Sequence, residues 1–198
     1  MNETFVKSNN RIFKQILQSW INVNKAYLKA HEWGLLPWYH TERTDVSLLA
    51  AAIWKAGGVA IEEYTIKKKK NVPDPKHPWG KGDLFFSFGG KKYYCEAKSM
   101  RYTRTSHTKE FIEKECNIHL AMASEDLEKV KVEWKRLALF FQIPQFGEGE
   151  LNQVDVWKKV ARSYKKSAVA YYFPKKVAKT EDGKMWPGII LYVDELAK

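Results

Sequence analysis

The dipeptide Gly89-Gly90 constrains the fold of this chain more than any other feature of its sequence. It lies within residues 82–99, GDLFFSFGGKKYYCEAKS, between two runs rich in aromatic and other strand-forming residues. A two-residue turn of type I′ or II′ needs positive φ angles, which glycine adopts without strain. The sequence therefore predicts a β-hairpin whose register is set by this turn. The expected pairs are Phe88 with Lys91, Phe86 with Tyr93, Leu84 with Cys95 and Asp83 with Glu96.

Alternation along the two strands predicts one apolar face and one polar face for this hairpin. The polar face carries Asp83 opposite Glu96, with Lys98 one pleat further along. Opposed like charges destabilise a sheet by a few tenths to about 1 kcal/mol, so a divalent cation between the carboxylates would be stabilising. The alternative interpretation is an edge hairpin whose charges protect it against aggregation. The apolar face, which must be buried, consists of Leu84, Phe86, Phe88, Tyr93, Cys95 and Ala97.

Two carboxylates and a lysine in this arrangement suit the hydrolysis of phosphodiesters. Mg²⁺ takes oxygen ligands, usually one or two carboxylates together with water and substrate phosphate. Asp83 and Glu96 are therefore the candidate ligands of Mg²⁺, or of Mn²⁺ in its place. Lys98 is the candidate for orienting or deprotonating the attacking water, or for neutralising charge on the phosphate.

These residues resemble the signature of the PD-(D/E)XK, or restriction-endonuclease-like, phosphodiesterases. Asp83, twelve intervening residues and then Glu96-Ala97-Lys98 are similar to the D…(D/E)-x-K motif of that family. The family core is a helix, three strands, a helix and a strand, and the predicted order over residues 44–144 is similar. The resemblance covers about half of the chain. It implies a Mg²⁺-dependent nuclease acting mostly on DNA, with Asp83 and Glu96 binding the metal and Lys98 catalytic.

The tripeptide acid-x-Lys is not specific by itself, because the chain contains it in several other places. Asp74 follows a proline, as in the family name, and is the main competitor of Asp83, but it lies between two prolines in a predicted loop. Glu133 is predicted on a solvent-facing helix and Asp182 in a turn. The additional copies are Asp74-Pro75-Lys76, Glu133-Trp134-Lys135 and Asp182-Gly183-Lys184.

Many members of the family recruit a further acid from the first helix of the core. The candidates here are Glu42, just ahead of that predicted helix, and Asp45 in its first turn. Helix capping or compensation of the helix dipole explains either residue equally well. Glu62 and Glu63 are adjacent on a predicted strand, so they are expected to point to opposite sides of the sheet. Whichever shares the face of Asp83 is a further ligand candidate, although a solvated glutamate is the simpler interpretation.

The net charge favours a polyanionic partner. The chain of 198 residues has 34 Lys and Arg against 23 Asp and Glu, a net charge of +11, which points to nucleic acid; the family resemblance implies DNA. Arg101, Arg104 and Lys81 flank the predicted site and are candidates for phosphate contacts. A lysine run at 67–70 is equally well explained as a solvated segment. Most of the eight tryptophans are assigned to packing.

The periodicity predicts an α/β sandwich around a mixed sheet. We expect a single domain over 1–198, made of an N-terminal helical extension (1–43), a restriction-endonuclease-like core (44–144) and a C-terminal helix-strand-strand extension (145–198). Ser8 or Asn9 is expected to cap the first helix, and Ser124 the second of two helices within 108–135. The predicted helices are 9–31, 44–56, 108–135 and 152–164, and the predicted strands are 59–66, the hairpin, 136–144, 167–173 and 188–193.

Other features bear on location and on the alternative functions. The two cysteines, Cys95 and Cys116, form no spaced set, and neither a signal peptide nor a membrane span is recognisable, so a cytoplasmic protein without a membrane partner is expected. The alternative to a nuclease is a nucleic-acid-binding or assembly protein that keeps the fold and does not cleave. The long N-terminal helix is a candidate surface for a second copy of the chain.

Overall fold

The computed structural model describes residues 3–67, 79–102, 107–147, 149–176, 179–180 and 183–197. Helices and strands are interspersed along the chain, as expected for a mixed α/β protein. In chain order the elements are β1 (Thr4–Ser8), α1 (Arg11–Ala30), α2 (Glu42–Lys55), β2 (Val59–Lys67), β3 (Trp79–Phe88), β4 (Lys91–Tyr102), α3 (Lys109–Glu128), β5 (Lys135–Pro144), α4 (Val154–Ser163), β6 (Ala168–Tyr172) and β7 (Ile189–Glu195).

The seven strands form one mixed sheet in the order β1-β6-β7-β5-β4-β3-β2. β4 and β5 are parallel and are connected by α3, because a parallel pair needs a crossover, while the remaining neighbours are antiparallel. The mixed α/β class and the order α2-β2-β3-β4-α3-β5 agree with the prediction for 44–144. The C-terminal strands β6 and β7, together with β1, continue the same sheet.

Helices cover both faces of the sheet and create two hydrophobic cores. α1 and α2 pack on the face that carries Leu84 and Phe86, whereas α3 and α4 pack on the face that carries Tyr94 and Phe140. β5 lies in the middle of the sheet and is buried from residue 137 to 144. Its nearly continuous apolar run is typical of a strand covered on both sides.

The N-terminal segment differs from the prediction because a strand precedes the first helix. β1 pairs with β6, at least 160 residues further along the chain, so no local sequence pattern predicts this strand. Since β1 extends to Ser8, the helix begins later and its cap is Asn10, whose side chain accepts the Ile12 N–H at 2.9 Å. The prediction of Ser8 or Asn9 as the cap is therefore wrong; the Ser8 hydroxyl accepts the backbone N–H of Asn10 instead.

The segment predicted as two helices over 108–135 is one helix, α3, followed by an irregular stretch and the start of β5. Ser124 is not a cap, because its hydroxyl donates to the carbonyl of Leu120 at 2.8 Å within the helix. Thr108 caps the N-terminus by accepting the N–H of Phe111. Glu133 consequently lies in the irregular stretch and not on a helix.

Across the part of the chain that is described, no helix has the length and apolar content needed to cross a bilayer.

Candidate active site

The hairpin follows the register set by Gly89-Gly90 for five pairs and stops at Asp83. Asp83 leaves the ladder: its Oδ2 accepts the backbone N–H of Ala97 at 2.7 Å. The ladder thus ends one pair short of the prediction, yet the two carboxyl groups are neighbours: Asp83 binds the N–H of the residue next to Glu96, and its proximity raises the pKa of Glu96. The five pairs are Phe88–Lys91, Ser87–Lys92, Phe86–Tyr93, Phe85–Tyr94 and Leu84–Cys95.

β2 changes its alternation at Glu63, the position aligned with Asp83 on the other side of β3. Glu63 has a φ of 52°, in the left-handed region that a non-glycine residue rarely adopts. Before this point Glu62 faces α2 and accepts the Ser47 hydroxyl at 2.5 Å. After it, Tyr64 lies on the opposite face against Phe85. Regular alternation would have placed residues 62 and 64 on the same face.

Both glutamates of β2 contact residues of α2. Glu63 forms ion pairs with Arg43 of α2 and with Lys81 of β3, and these pairs lower the pKa of Glu63. The expectation that Glu62 and Glu63 point to opposite sides of the sheet is therefore wrong, because the left-handed backbone cancels the alternation. Lys81, a candidate for phosphate contacts, is instead paired with a carboxylate.

Glu96 is more deeply buried than Asp83, with 7% of its surface exposed. Burial raises the pKa of Glu96 to about 8; a hydrogen bond from Tyr94 opposes the rise, and the adjacent Asp83 adds to it. The Tyr94 hydroxyl donates to Glu96 Oε1 at 2.5 Å. The Tyr94 ring fits because residue 82 is glycine: a Cβ there would lie 2.3 Å from the ring. Glu96 is thus held in place by a neutral donor beside a second acid.

Lys98 is paired with Asp126 of α3. Its Nζ lies 2.6 Å from Asp126 Oδ2, and Lys129 contacts the other carboxylate oxygen. Burial would lower the pKa of Lys98, but the hydrogen bond and charge of Asp126 raise it, with Glu42 and Asp83 contributing in the same direction. Lys98 is therefore an ammonium group at neutral pH, one pleat away from Glu96.

Glu42, in the first turn of α2, is the third acid near the pair. Burial and then the charge of Asp83 raise the pKa of Glu42, whereas Lys98 and a hydrogen bond from the Ser99 backbone lower it. Glu42 is therefore close enough to the site for the charges of Asp83 and Lys98 to act on it.

Asp45, the other candidate of α2, belongs to a separate cluster on the opposite face of β4. Its Oδ2 accepts the Ser99 hydroxyl at 2.8 Å and Arg101 Nη2 at 2.9 Å. Arg101 also donates to the carbonyl of Trp38, and 18% of its side chain is exposed. Burial raises the pKa of Asp45 to about 7, although Arg101 and Ser99 lower it. Arg101, a candidate for phosphate contacts, is thus largely engaged inside the protein.

Several predicted residues lie outside the described part of the chain or stay away from the site. Arg104, Asp74, Asp182 and the lysine run from 68 onward fall on residues that are not described, and Lys67 is described only as the last residue of β2. Within the described residues, no three His, Cys, Asp or Glu side chains form a group that would by itself hold a metal ion. Any cation here would depend on two carboxylates with water or substrate for the remaining ligands, which is a normal arrangement for Mg²⁺.

Sequence reasoning missed two members of the site, Tyr94 and Asp126. Tyr94 precedes Glu96 by two residues, and this spacing in the sequence indicates that both side chains share one face of β4. Asp126 has no such signal, since α3 reaches Lys98 only after the crossover has folded back onto the sheet.

No family model matches this chain, and no curated protein or solved structure shows significant similarity to it.

Proposed function

We propose that this protein is a metal-dependent phosphodiesterase, a nuclease acting on DNA. The observation that carries the proposal is the pair of adjacent acids, Asp83 and Glu96, with Lys98 one pleat beyond. Asp83 raises the pKa of the neighbouring Glu96, and such a pair of carboxyl groups adds little to the stability of a fold but suits a hard cation. The resemblance to the PD-(D/E)XK motif adds support from the sequence.

The donor set fits a divalent metal. Asp83 and Glu96 would hold it, and Glu42, whose pKa is influenced by Asp83, could assist through water. Carboxylate oxygen is the ligand type that Mg²⁺ and Mn²⁺ take. When bound, such a cation polarises a phosphoryl oxygen and makes a bound water more acidic. Glu96 must lose its proton to serve as a ligand, so metal binding is expected to strengthen as the pH rises toward 8.

Lys98 acts by its charge in this proposal. Because Asp126 keeps it protonated, Lys98 is suited to donate hydrogen bonds to a phosphate oxygen and to neutralise charge that develops there, and less suited to remove a proton from water. Tyr94 fixes Glu96, and the Ala97 N–H fixes Asp83, so both carboxyl groups are positioned before substrate arrives. The net charge of +11 favours a polyanionic substrate.

The experiment is a cleavage assay on linear, nicked, branched and single-stranded DNA and on RNA, with Mg²⁺, with Mn²⁺ and with chelator. Glu96→Gln and Lys98→Met should each reduce the rate by at least about 100-fold, because each removes a group that binds or stabilises charge at the phosphate. Their matched controls are Glu110→Gln and Lys159→Met, which alter exposed residues of α3 and α4. Glu110 lies sixteen residues from Asp126, about 24 Å along the helix.

Folding and metal binding are checked separately from cleavage. Without metal, the melting temperatures of Lys98→Met and of the two controls should stay near that of the unaltered protein, and Glu96→Gln should melt at the same temperature or higher. Mn²⁺ should raise the melting temperature of the unaltered protein but not that of Glu96→Gln. Cleavage that persists undiminished in folded Glu96→Gln and Lys98→Met would refute the proposal.

A second candidate, a nucleic-acid-binding protein that does not cleave, is favoured by the Lys98–Asp126 ion pair. This pair occupies the lysine that cleavage would need. In that case every substrate stays intact with either metal, Mn²⁺ leaves the melting temperature unchanged, and binding to nucleic acid persists in chelator.

A further inference from the structure

Three aromatic side chains form a cluster on the α3 side of β2 and β3. The rings of Tyr64, Phe85 and Trp134, termed the aromatic patch below, have centroids 5.4 Å (Tyr64–Phe85), 4.7 Å (Phe85–Trp134) and 6.1 Å (Tyr64–Trp134) apart. All three side chains are only partly buried, unlike Tyr94, which lies fully inside the core next to them. Parts of these rings are therefore available to a ligand.

The aromatic patch lies next to the paired acids. Phe85 is two residues beyond Asp83 on β3, about 7 Å of strand. Tyr64 is the strand partner of Gly82, on the other side of Asp83. The side chains of β2 stop alternating at the left-handed Glu63, so Tyr64 lies on this face and completes the patch.

The patch borders an open cleft of about 360 Å³ between the end of β2 and the stretch before β5. Exposed Lys131 lies in its wall. Exposed Lys92 is opposite Ser87 on β3 and, by alternation, on the same face as Phe85. Aromatic surface between lysines, in a chain with a net charge of +11, is complementary to a stacked base whose backbone phosphates lie on either side. The cleft is lined by Tyr64, Thr65, Ile66, Lys131, Val132, Glu133 and Trp134.

We propose that the aromatic patch stacks an unpaired base of single-stranded nucleic acid, next to the proposed site at Asp83 and Glu96, where a bound metal ion would contact the phosphate. The inference rests on the proposed function and narrows its substrate class to single strands or to duplexes with an unpaired base. Bases within an intact duplex already stack on each other, so their faces cannot reach Trp134. Stacking tolerates any base because every base has a π-face, so sequence-neutral binding is expected.

The test measures binding in chelator, where cleavage is absent. Fluorescence anisotropy is followed for a labelled oligothymidylate and for a labelled duplex, using the unaltered protein, Trp134→Leu and Trp54→Leu. Trp54 is an exposed tryptophan on α2, at the opposite face of the sheet, and serves as the matched control. Trp134→Leu should weaken binding of the single strand by about 5- to 150-fold, the loss of one stacked base, while duplex binding and the Trp54→Leu variant change by less than about twofold.

A second variant covers the case in which Trp134→Leu does not fold. Tyr64→Leu should also weaken single-strand binding selectively. Equal losses for single strand and duplex, no loss for either variant, or association of the protein with itself through this face would overturn the inference. Selective loss without any cleavage by the unaltered protein would support the stacking site and reject only the nuclease. Cleavage of duplex DNA, together with single-strand binding that Trp134→Leu leaves unchanged, would support the nuclease and reject the stacking site.

Discussion

A buried acid lies against each face of β4, Asp45 from α2 on one side and Glu96 of β4 itself on the other, and their neighbours are of opposite kinds. On the α2 face, Asp45 meets the guanidinium of Arg101 and the hydroxyl of Ser99. On the α3 face, Glu96 meets the hydroxyl of Tyr94 and a second acid. Burial raises the pKa of both groups, but Arg101 limits that of Asp45 to about 7, whereas Asp83 helps to bring that of Glu96 to about 8.

The difference separates an acid whose charge is compensated within the fold from one whose charge is not, and the proposed function assigns the second to binding a cation. The charge of Asp45 is balanced by the protein itself, so the Asp45–Arg101 pair fastens α2 to the end of β4. The charge of Glu96 is opposed by Asp83, and its ionised form becomes favourable only when positive charge arrives from outside. Sites where a protein leaves such a conflict are candidates for function.

The largest effect on stability is expected when the Asp45–Arg101 pair is broken. Asp45→Ala leaves Arg101 largely buried without its carboxylate, which should lower the free energy of unfolding by about 3–5 kcal/mol. Urea denaturation at pH 8, where Asp45 is mostly ionised, measures the change. The double variant Asp45→Ala/Arg101→Leu should recover part of the loss, because the unpaired charge is gone. A loss below about 1 kcal/mol for the single variant would mean that solvent already compensates Arg101.

Glu96→Gln should have the opposite sign. Because the pKa of Glu96 is raised to about 8 in the folded protein, the folded state binds more protons than the unfolded state between about pH 4.5 and pH 8. Ionisation of Glu96 therefore costs stability as the pH rises through this window. Glutamine resembles the protonated acid, so the variant should match the unaltered protein near pH 4.5 and exceed it increasingly up to pH 8, by about 1.4 kcal/mol per pH unit at most.

The measurement is urea denaturation of both proteins across this pH range, compared at each pH so that other titrating groups cancel. Mn²⁺ at pH 8 should reverse the order, because it stabilises only the protein with a ligand at position 96. Parallel stability curves would show that Glu96 is not the strained acid that its surroundings imply.

Adjacent tyrosines test the hydrogen bond to Glu96. Tyr94→Phe removes the donor to a buried carboxyl group and should cost about 1–2 kcal/mol of unfolding free energy. Tyr93 points to the other face, and within the described residues its buried hydroxyl has no hydrogen-bond partner, so Tyr93→Phe should be neutral or slightly stabilising. Thermal denaturation of the two variants gives the comparison. Equal losses of unfolding free energy in the two variants would mean that the hydroxyl group of Tyr94 does not hold Glu96 in place.

Local patterns in the sequence predicted most of the fold. The turn at Gly89-Gly90 gave the hairpin register, and hydrophobic spacing gave the helices and the buried strand β5. β1 could not be predicted, because its stability depends on a partner strand at the other end of the chain. Ser124 misled the prediction of α3, since its hydroxyl bonds within the helix as readily as it would cap a new one.

The site was predictable only as far as two adjacent strands determine it. The proximity of Asp83, Glu96 and Lys98 follows from alternation and turn geometry. The left-handed Glu63 is a tertiary compromise that no propensity indicates, and it altered the positions of Tyr64 and Lys81. The partners of Arg101 and Lys98 come from helices distant in sequence, so charge patterning alone could not predict these ion pairs.

The smallest effect on stability is expected at the Lys98–Asp126 pair. Lys98 and Asp126 are about a quarter to a third exposed, so Asp126→Asn should change the free energy of unfolding by less than about 1 kcal/mol. The functional effect should be larger, because the variant removes a negative charge that competes with phosphate for Lys98. Oligonucleotide binding in chelator, measured by anisotropy, should tighten, whereas Lys129→Gln, which removes the second cation on Asp126, should not tighten it. A loss of more than about 2 kcal/mol would place Asp126 with Asp45, as a carboxylate that stabilises the fold, and would remove the contrast between the two faces of β4.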